Sequence, residues 1–265
     1  MNRVILITGA SGGIGEAVAR KLAAKNYHLL LVARNEHKLQ KLSNELTTAH
    51  GVVVEYIVAD LAQTDGPFKV WSEIDKRNLV VTVLVNNAGV GSSGEFVTNE
   101  LQHELKILQL NNNAMVAFCH LFLNTVPKDE QVSIINIGSM ASFFPSPYMA
   151  VYAASKAFVR SFTQALAEEC RPHNIHVLFF APGLTSSNFM NIEANDNAWG
   201  RTLTDKAPTQ TPNEVADELI GAWEKRKPSQ ISGKQNRMAF RLTALIPNSI
   251  IARIFATQKR NRVNT

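Results

Sequence analysis

The chain has 265 residues, of which 45% are hydrophobic and 18% charged, and a net charge of +5. That balance excludes a disordered or fibrous chain and describes a soluble globular protein with room for a sizeable core in one domain. The charge is uneven: from residue 225 onward there are ten basic residues and no acidic one, so a mildly acidic body carries a strongly basic tail.

The chain begins with an apolar run at residues 3–8 that is too short for a signal peptide and lacks a small-residue cleavage site. It reads as a first strand, and a cytoplasmic location is the expectation. Further strands are predicted at 29–32, 52–58, 80–85, 132–137 and 175–180. Helices are predicted between them at 15–25, 36–48, 65–76, 101–126 and 149–170. This alternation predicts an α/β fold, a doubly wound parallel sheet of Rossmann-like type with helices on both faces. No repeat or linker interrupts it. We expect one domain over residues 1–233, including an irregular loop at 184–211, and then a basic, partly apolar C-terminal helical tail at 234–265.

The helix predicted at 212–225 carries Val215, Leu219, Ile220 and Trp223 at core-facing spacing. The tail beyond it has apolar stretches broken by Arg241, Pro247 and Arg253. They could fold over a cleft, join a partner or lie on a membrane surface. No nucleic-acid motif accompanies the basic tail, so nucleic acid is not an expected partner. Cys119 and Cys170 form no close pair, which fits a reducing compartment. His173 and His176 are three apart without a further ligand cluster, so no metal site is read.

Three stretches carry chemistry. Thr8-Gly9-Ala10-Ser11-Gly12-Gly13-Ile14-Gly15 links the first strand to the first helix. Glycines there let backbone approach a pyrophosphate, and the helix start offers free N–H groups to it. At the end of the second strand Ala33 supplies no carboxylate for a ribose hydroxyl, and Arg34 offers a planar donor fork to a 2′-phosphate. Finally, Ser139 follows the fifth strand, and Tyr152 and Lys156 lie one turn apart on the next helix. A tyrosine hydroxyl is a weak acid near neutrality, and an ammonium one turn away favours its phenolate. Ser139 could hold a carbonyl oxygen beside that phenol. Phe143, Phe144 and Tyr148, with Phe189, Met190 and Trp199 in the loop, suggest an apolar substrate surface; packing into the core is the competing reading.

Taken in order, Thr8–Gly15, Asn86-Asn87-Ala88-Gly89, Ser139, Tyr152-x-x-x-Lys156 and Pro182-Gly183 resemble the short-chain dehydrogenase/reductase family over roughly residues 1–190. The resemblance implies a catalytic set of Asn111, Ser139, Tyr152 and Lys156. It implies cofactor contacts from Gly9, Ser11, Gly13, Ile14, Gly15, Arg34, Asp60, Leu61, Asn87, Ala88, Gly89, Tyr152, Lys156, Pro182, Gly183 and Thr185. The family's other basic residue, within the glycine loop, is absent, since Ser11 and Gly12 stand there. Ala33 and Arg34 make NADP(H) the expected cofactor, and the missing loop base leaves NAD(H) open.

The function expected is a carbonyl reductase or alcohol dehydrogenase that exchanges hydride between NADPH and an apolar ketone, aldehyde or alcohol. A homodimer or homotetramer is expected from the family. The alternatives are a catalytically idle NADP(H)-sensing protein and a protein held at a membrane surface by its tail.

Overall fold

Strand β1 (Asn2–Thr8) buries Val4, Ile5, Leu6 and Ile7 in succession, the pattern of a central parallel strand covered on both faces. The computed structural model describes residues 2–126, 131–187, 209–243 and 245–263. Six more strands join β1: β2 (Leu29–Ala33), β3 (Val54–Val58), β4 (Leu79–Asn86), β5 (Ser133–Ile137), β6 (His176–Ala181) and β7 (Ser229–Ile231). All pairings are parallel, in the order β3-β2-β1-β4-β5-β6-β7. The winding reverses between β1 and β4, and the carboxyl ends of these strands open the crevice where such sheets bind ligands.

The helices are α1 (Gly13–Ala24), α2 (Glu36–His50), α3 (Gly66–Lys76), α4 (Leu101–Leu108), α5 (Ala114–Thr125), α6 (Ala150–Cys170), α7 (Pro212–Glu224), α8 (Lys234–Thr243) and α9 (Asn248–Val263). Helices α1, α2 and α7 cover one face of the sheet through Leu22, Leu39, Leu46, Val215 and Leu219. Helices α3, α5 and α6 cover the other through Trp71, Phe118, Phe122 and Val159. Local chemistry fixes several ends. Asn35 caps α2 by accepting from the Lys38 N–H at 2.9 Å, and Gly51 closes it with φ 68°. Thr211 and Glu214 form a reciprocal capping box at α7.

The structure corrects two readings. The single helix expected over 101–126 is divided: a π-helical turn, Gln109–Asn113, separates α4 from α5. Strand β7 was not expected, because three residues with an exposed Ser229 carry no period. No described helix is long and apolar enough to cross a membrane.

Candidate active site

One cleft of about 1700 Å³ runs along the carboxyl ends of the strands. Its floor begins at the glycine loop. Asn87 ties the loop after β4 to the loop after β1, donating from Nδ2 to the Thr8 carbonyl at 2.9 Å and the Gly9 carbonyl at 3.2 Å. Thr8 Oγ1 in turn accepts from the Asn87 and Ala88 N–H groups, each at 3.0 Å. The approach is so close that a Cβ on Gly15 would lie 2.4 Å from the Gly9 carbonyl oxygen. Only glycine fits there. Helix α1 starts at Gly12 without a side-chain cap, and Gly12, Gly13 and Ile14 line the cleft. A glycine-built concavity at an uncapped helix start is suited to a pyrophosphate.

Beyond it, Ala33 is buried, and Arg34, Asn35 and Lys38 line the cleft where β2 ends. Lys38 was not singled out from the sequence. Its signal was a lysine in the first turn of α2, where the helix dipole disfavours a cation unless an anion visits. Asp60 and Leu61 line the cleft after β3, and Asp60 Oδ1 accepts from the Ala62 N–H at 3.1 Å. This combination of glycine cradle, uncapped helix start and basic edge fits an NADP-type dinucleotide.

The reactive end is built by β5, the π-turn and α6. The Ser139 side chain accepts from the Ala141 N–H at 3.1 Å, which fixes its rotamer, and it hydrogen-bonds the Tyr152 phenol. Tyr152 is buried. Burial pushes its pKa up, and the Ser139 hydrogen bond pulls it back in part. Lys156 is buried too and donates to the Ile137 carbonyl at 3.0 Å; burial lowers its pKa to about 8.

Asn111 sits in the π-turn. Its Oδ1 accepts from the Val90 N–H at 2.9 Å, and its Nδ2 donates to the Val90 carbonyl and to Ser155 Oγ, both at 3.0 Å. Ser155 Oγ donates to the Tyr152 carbonyl at 2.7 Å. Asn111 therefore links the loop after β4 to the helix that carries Tyr152. A Cβ on Gly89 would come 3.1 Å from Asn111 Oδ1 and 3.5 Å from Lys156 Nζ, so the three residues converge on one spot.

Pro182, Gly183, Leu184 and Thr185 form the opposite lip, and Thr185 Oγ1 donates to the Gly183 carbonyl at 3.2 Å. A parallel bridge joins Thr185 to Gln210. Of the apolar residues expected near the substrate, Phe144 lines the cleft. Phe143 packs instead against Phe179 and Phe240, with the Arg160 guanidinium 4.7 Å over its ring. Phe189, Met190, Trp199 and most of the loop at 184–211 lie outside the described residues. His176 belongs to β6, and its Nε2 pairs with the Lys227 carbonyl at 2.9 Å. No cluster of metal-ligating residues occurs among the described residues.

The sequence left open where the tail goes. Helices α8 and α9 fold over the cleft. Phe240 meets Phe143 at 4.6 Å between ring centroids, and Phe255 meets Phe144 edge-on at 6.4 Å. Asn236 packs against Gly183. Lys259 donates to the Pro147 carbonyl at 2.9 Å, with burial pulling its pKa down to about 8.

A family model described as short chain dehydrogenase matches residues 3–198. A very-long-chain 3-oxoacyl-CoA reductase of Pyrenophora tritici-repentis is 34% identical over 65% of this chain, which spans about half, 52%, of that protein's length. Sulfoacetaldehyde reductase 2 of Chromohalobacter salexigens is 33% identical over 83% of this chain and 87% of its own. A short-chain dehydrogenase from Sphingobium yanoikuyae, solved in complex with NADPH, superposes with a TM-score of 0.80 at 30% identity, covering 92% of each chain.

Proposed function

The chain belongs to the short-chain dehydrogenase family, and on that premise we propose that it is an NADPH-dependent carbonyl reductase. Its substrate would be an apolar ketone or aldehyde, or the corresponding alcohol in the reverse direction. One observation carries the reading: Ser139, Tyr152 and Lys156 meet at one end of a cleft whose other end carries Arg34 and Lys38.

Bound NADPH would supply the hydride taken up by the carbonyl carbon. The glycine loop and the start of α1 would hold its pyrophosphate, and Arg34 and Lys38 its 2′-phosphate. Asp60 and Leu61 would hold the adenine, and Asn87, Ala88, Gly89, Pro182, Gly183 and Thr185 would flank the rest. The phenol of Tyr152 would then give its proton to the carbonyl oxygen. Its upward-shifted pKa keeps that proton in place near neutrality, and the hydrogen bond to Ser139 aims the hydroxyl. Ser139 would hold the substrate oxygen, and Lys156 would steady the phenolate left behind and hold the nicotinamide ribose. Asn111 would keep the backbone at Val90 and the first turns of α6 in register for this transfer. Support for NADPH comes also from the Sphingobium relative, whose structure contains it. Support for an apolar substrate comes from Phe144, Met149 and Phe255 along the cleft.

The test is NADPH consumption by purified protein against aldehydes, steroids, sugars and acyl ketones. Turnover of an apolar carbonyl, faster with NADPH than with NADH, is the expected result. NADPH binding without turnover of any panel member would favour a nucleotide-sensing role instead.

A further inference from the structure

The two tail helices have faces of opposite character. On their inner face Asn236, Ala239, Phe255 and Lys259 line the cleft, and Phe240 packs against Phe143. Their outer face is apolar without being covered. Met238, Leu242, Ile250 and Ile254 are exposed, Leu242 to 70%, and Leu245 at the turn between the helices is 94% exposed. The positions 238 and 242 are four apart on α8, as are 250 and 254 on α9, so each pair shares one helix face. Exposed cations interleave with them: Lys234 and Arg241 on α8, Arg253 and Arg260 on α9. Arg237 pairs with Glu218 at 2.7 Å, and no described carboxylate pairs with Arg241 or Arg253. No acidic residue occurs from 225 to 265.

An uncovered apolar ridge of this kind marks an interaction surface. Its charge selects the occupant. A second copy docked face to face would bring two acid-free cationic surfaces together, which opposes such pairing. An anionic lipid headgroup region complements the arginines, while the acyl boundary accepts the leucines and isoleucines. We propose that α8 and α9 form a docking surface for an anionic lipid bilayer, lying in its interface.

Flotation with vesicles tests this without reference to turnover. The full chain is mixed with vesicles of phosphatidylcholine alone or of phosphatidylcholine with phosphatidylserine, and centrifuged through a density step. The expected result is flotation with the anionic vesicles, weakened by salt, and little with the neutral ones. The double variants Leu242→Glu/Ile250→Glu and Arg241→Gln/Arg253→Gln replace exposed side chains only, and circular dichroism verifies their fold. Each should lose roughly tenfold or more of the vesicle affinity: the arginine pair because each juxtamembrane cation contributes on the order of 1 kcal/mol, the apolar pair because it removes buried apolar area and sets negative charge against an anionic surface. Wild-type protein that stays out of the vesicle fraction with both lipids overturns the proposal. So does a folded Leu242→Glu/Ile250→Glu variant that floats as wild type does. A dimer that Leu242→Glu converts to a monomer, with no vesicle binding by wild type, would assign the ridge to a second copy instead.

Discussion

At the scale of single residues, the cofactor edge and the buried lysine give the sharpest expectations. Arg34 was legible because an arginine stood where a carboxylate would otherwise read a ribose hydroxyl. Lys38 became visible only once Asn35 had capped α2 and set that lysine on the same rim. Charge-assisted bonds contribute roughly 1.5–3 kcal/mol each, so Arg34→Leu should weaken NADPH binding about tenfold to a hundredfold and leave NADH nearly unchanged. Ala33→Asp with Arg34→Leu should reverse the preference, and Lys38→Gln should act in the same direction as Arg34→Leu but less strongly. Steady-state kinetics with both cofactors measure this; an unchanged NADPH-to-NADH ratio in Arg34→Leu would reduce Arg34 to a surface residue. Lys156 makes a prediction about stability. Its pKa is lowered from 10.5 to about 8 by burial, so the unfolded chain holds its proton across a range where the folded chain has released it. The folded state bears the cost of the buried ammonium below pH 8, and that cost fades as pH rises from about 8 to 10.5. Allowing for the lost hydrogen bond to Ile137, Lys156→Met should stabilise the cofactor-free protein by about 1–2 kcal/mol near neutrality and by much less near pH 10, while abolishing turnover. Calorimetry at the two pH values decides it; a variant that melts below wild type at both would contradict the burial cost.

At the scale of elements, the π-turn explains both what the sequence conceals and what the site requires. Three consecutive asparagines look like a polar interruption of a helix surface, and helical spacing alone cannot say which one faces inward. The extra residue in the turn buries both Asn111 and Asn112. Asn112 Nδ2 donates to the Ser155 carbonyl at 2.9 Å, and Asn111 ties Val90 to Ser155. Asn111→Ala would leave the buried N–H and carbonyl of Val90 without their partner. That should cost about 1–3 kcal/mol and lower kcat, whereas Asn113→Ala, at an exposed position, should change neither. Thermal melts and kinetics of the two variants check this, and equal effects would contradict the assignment. The strands and helices of the first 180 residues were legible because they bury continuous apolar runs or whole helix faces. Strand β7 and the course of the tail were not. Three residues carry no period, and the contacts of Phe240 and Phe255 with Phe143 and Phe144 join segments about a hundred residues apart that no local pattern connects.

At the scale of the whole molecule, the body leaves a second apolar surface on the side of α4 and α6. Leu101, Leu105, Leu108 and Phe158 are exposed there, and Phe158 stacks on Phe162 with ring centroids 5.9 Å apart and an interplanar angle of 6°. We expect two copies to pair through these helices about a two-fold axis. Light scattering at micromolar concentration should give at least a dimer, and Phe158→Glu a smaller species; a monomeric wild type would contradict it. Such a dimer and a lipid surface on α8 and α9 use different faces, so they are compatible. Carbonyl reduction in the cleft, however, turns on a single proton, that of the Tyr152 phenol. Tyr152→Phe removes the phenolic hydroxyl, keeps the ring and leaves the glycine cradle and Arg34 untouched. The most direct measurement is NADPH binding and turnover of one reducible carbonyl by this variant beside wild type. NADPH affinity should stay within about twofold of wild type and turnover should fall by roughly a hundredfold or more, the usual scale of a lost general acid. Turnover near the wild-type rate would contradict it.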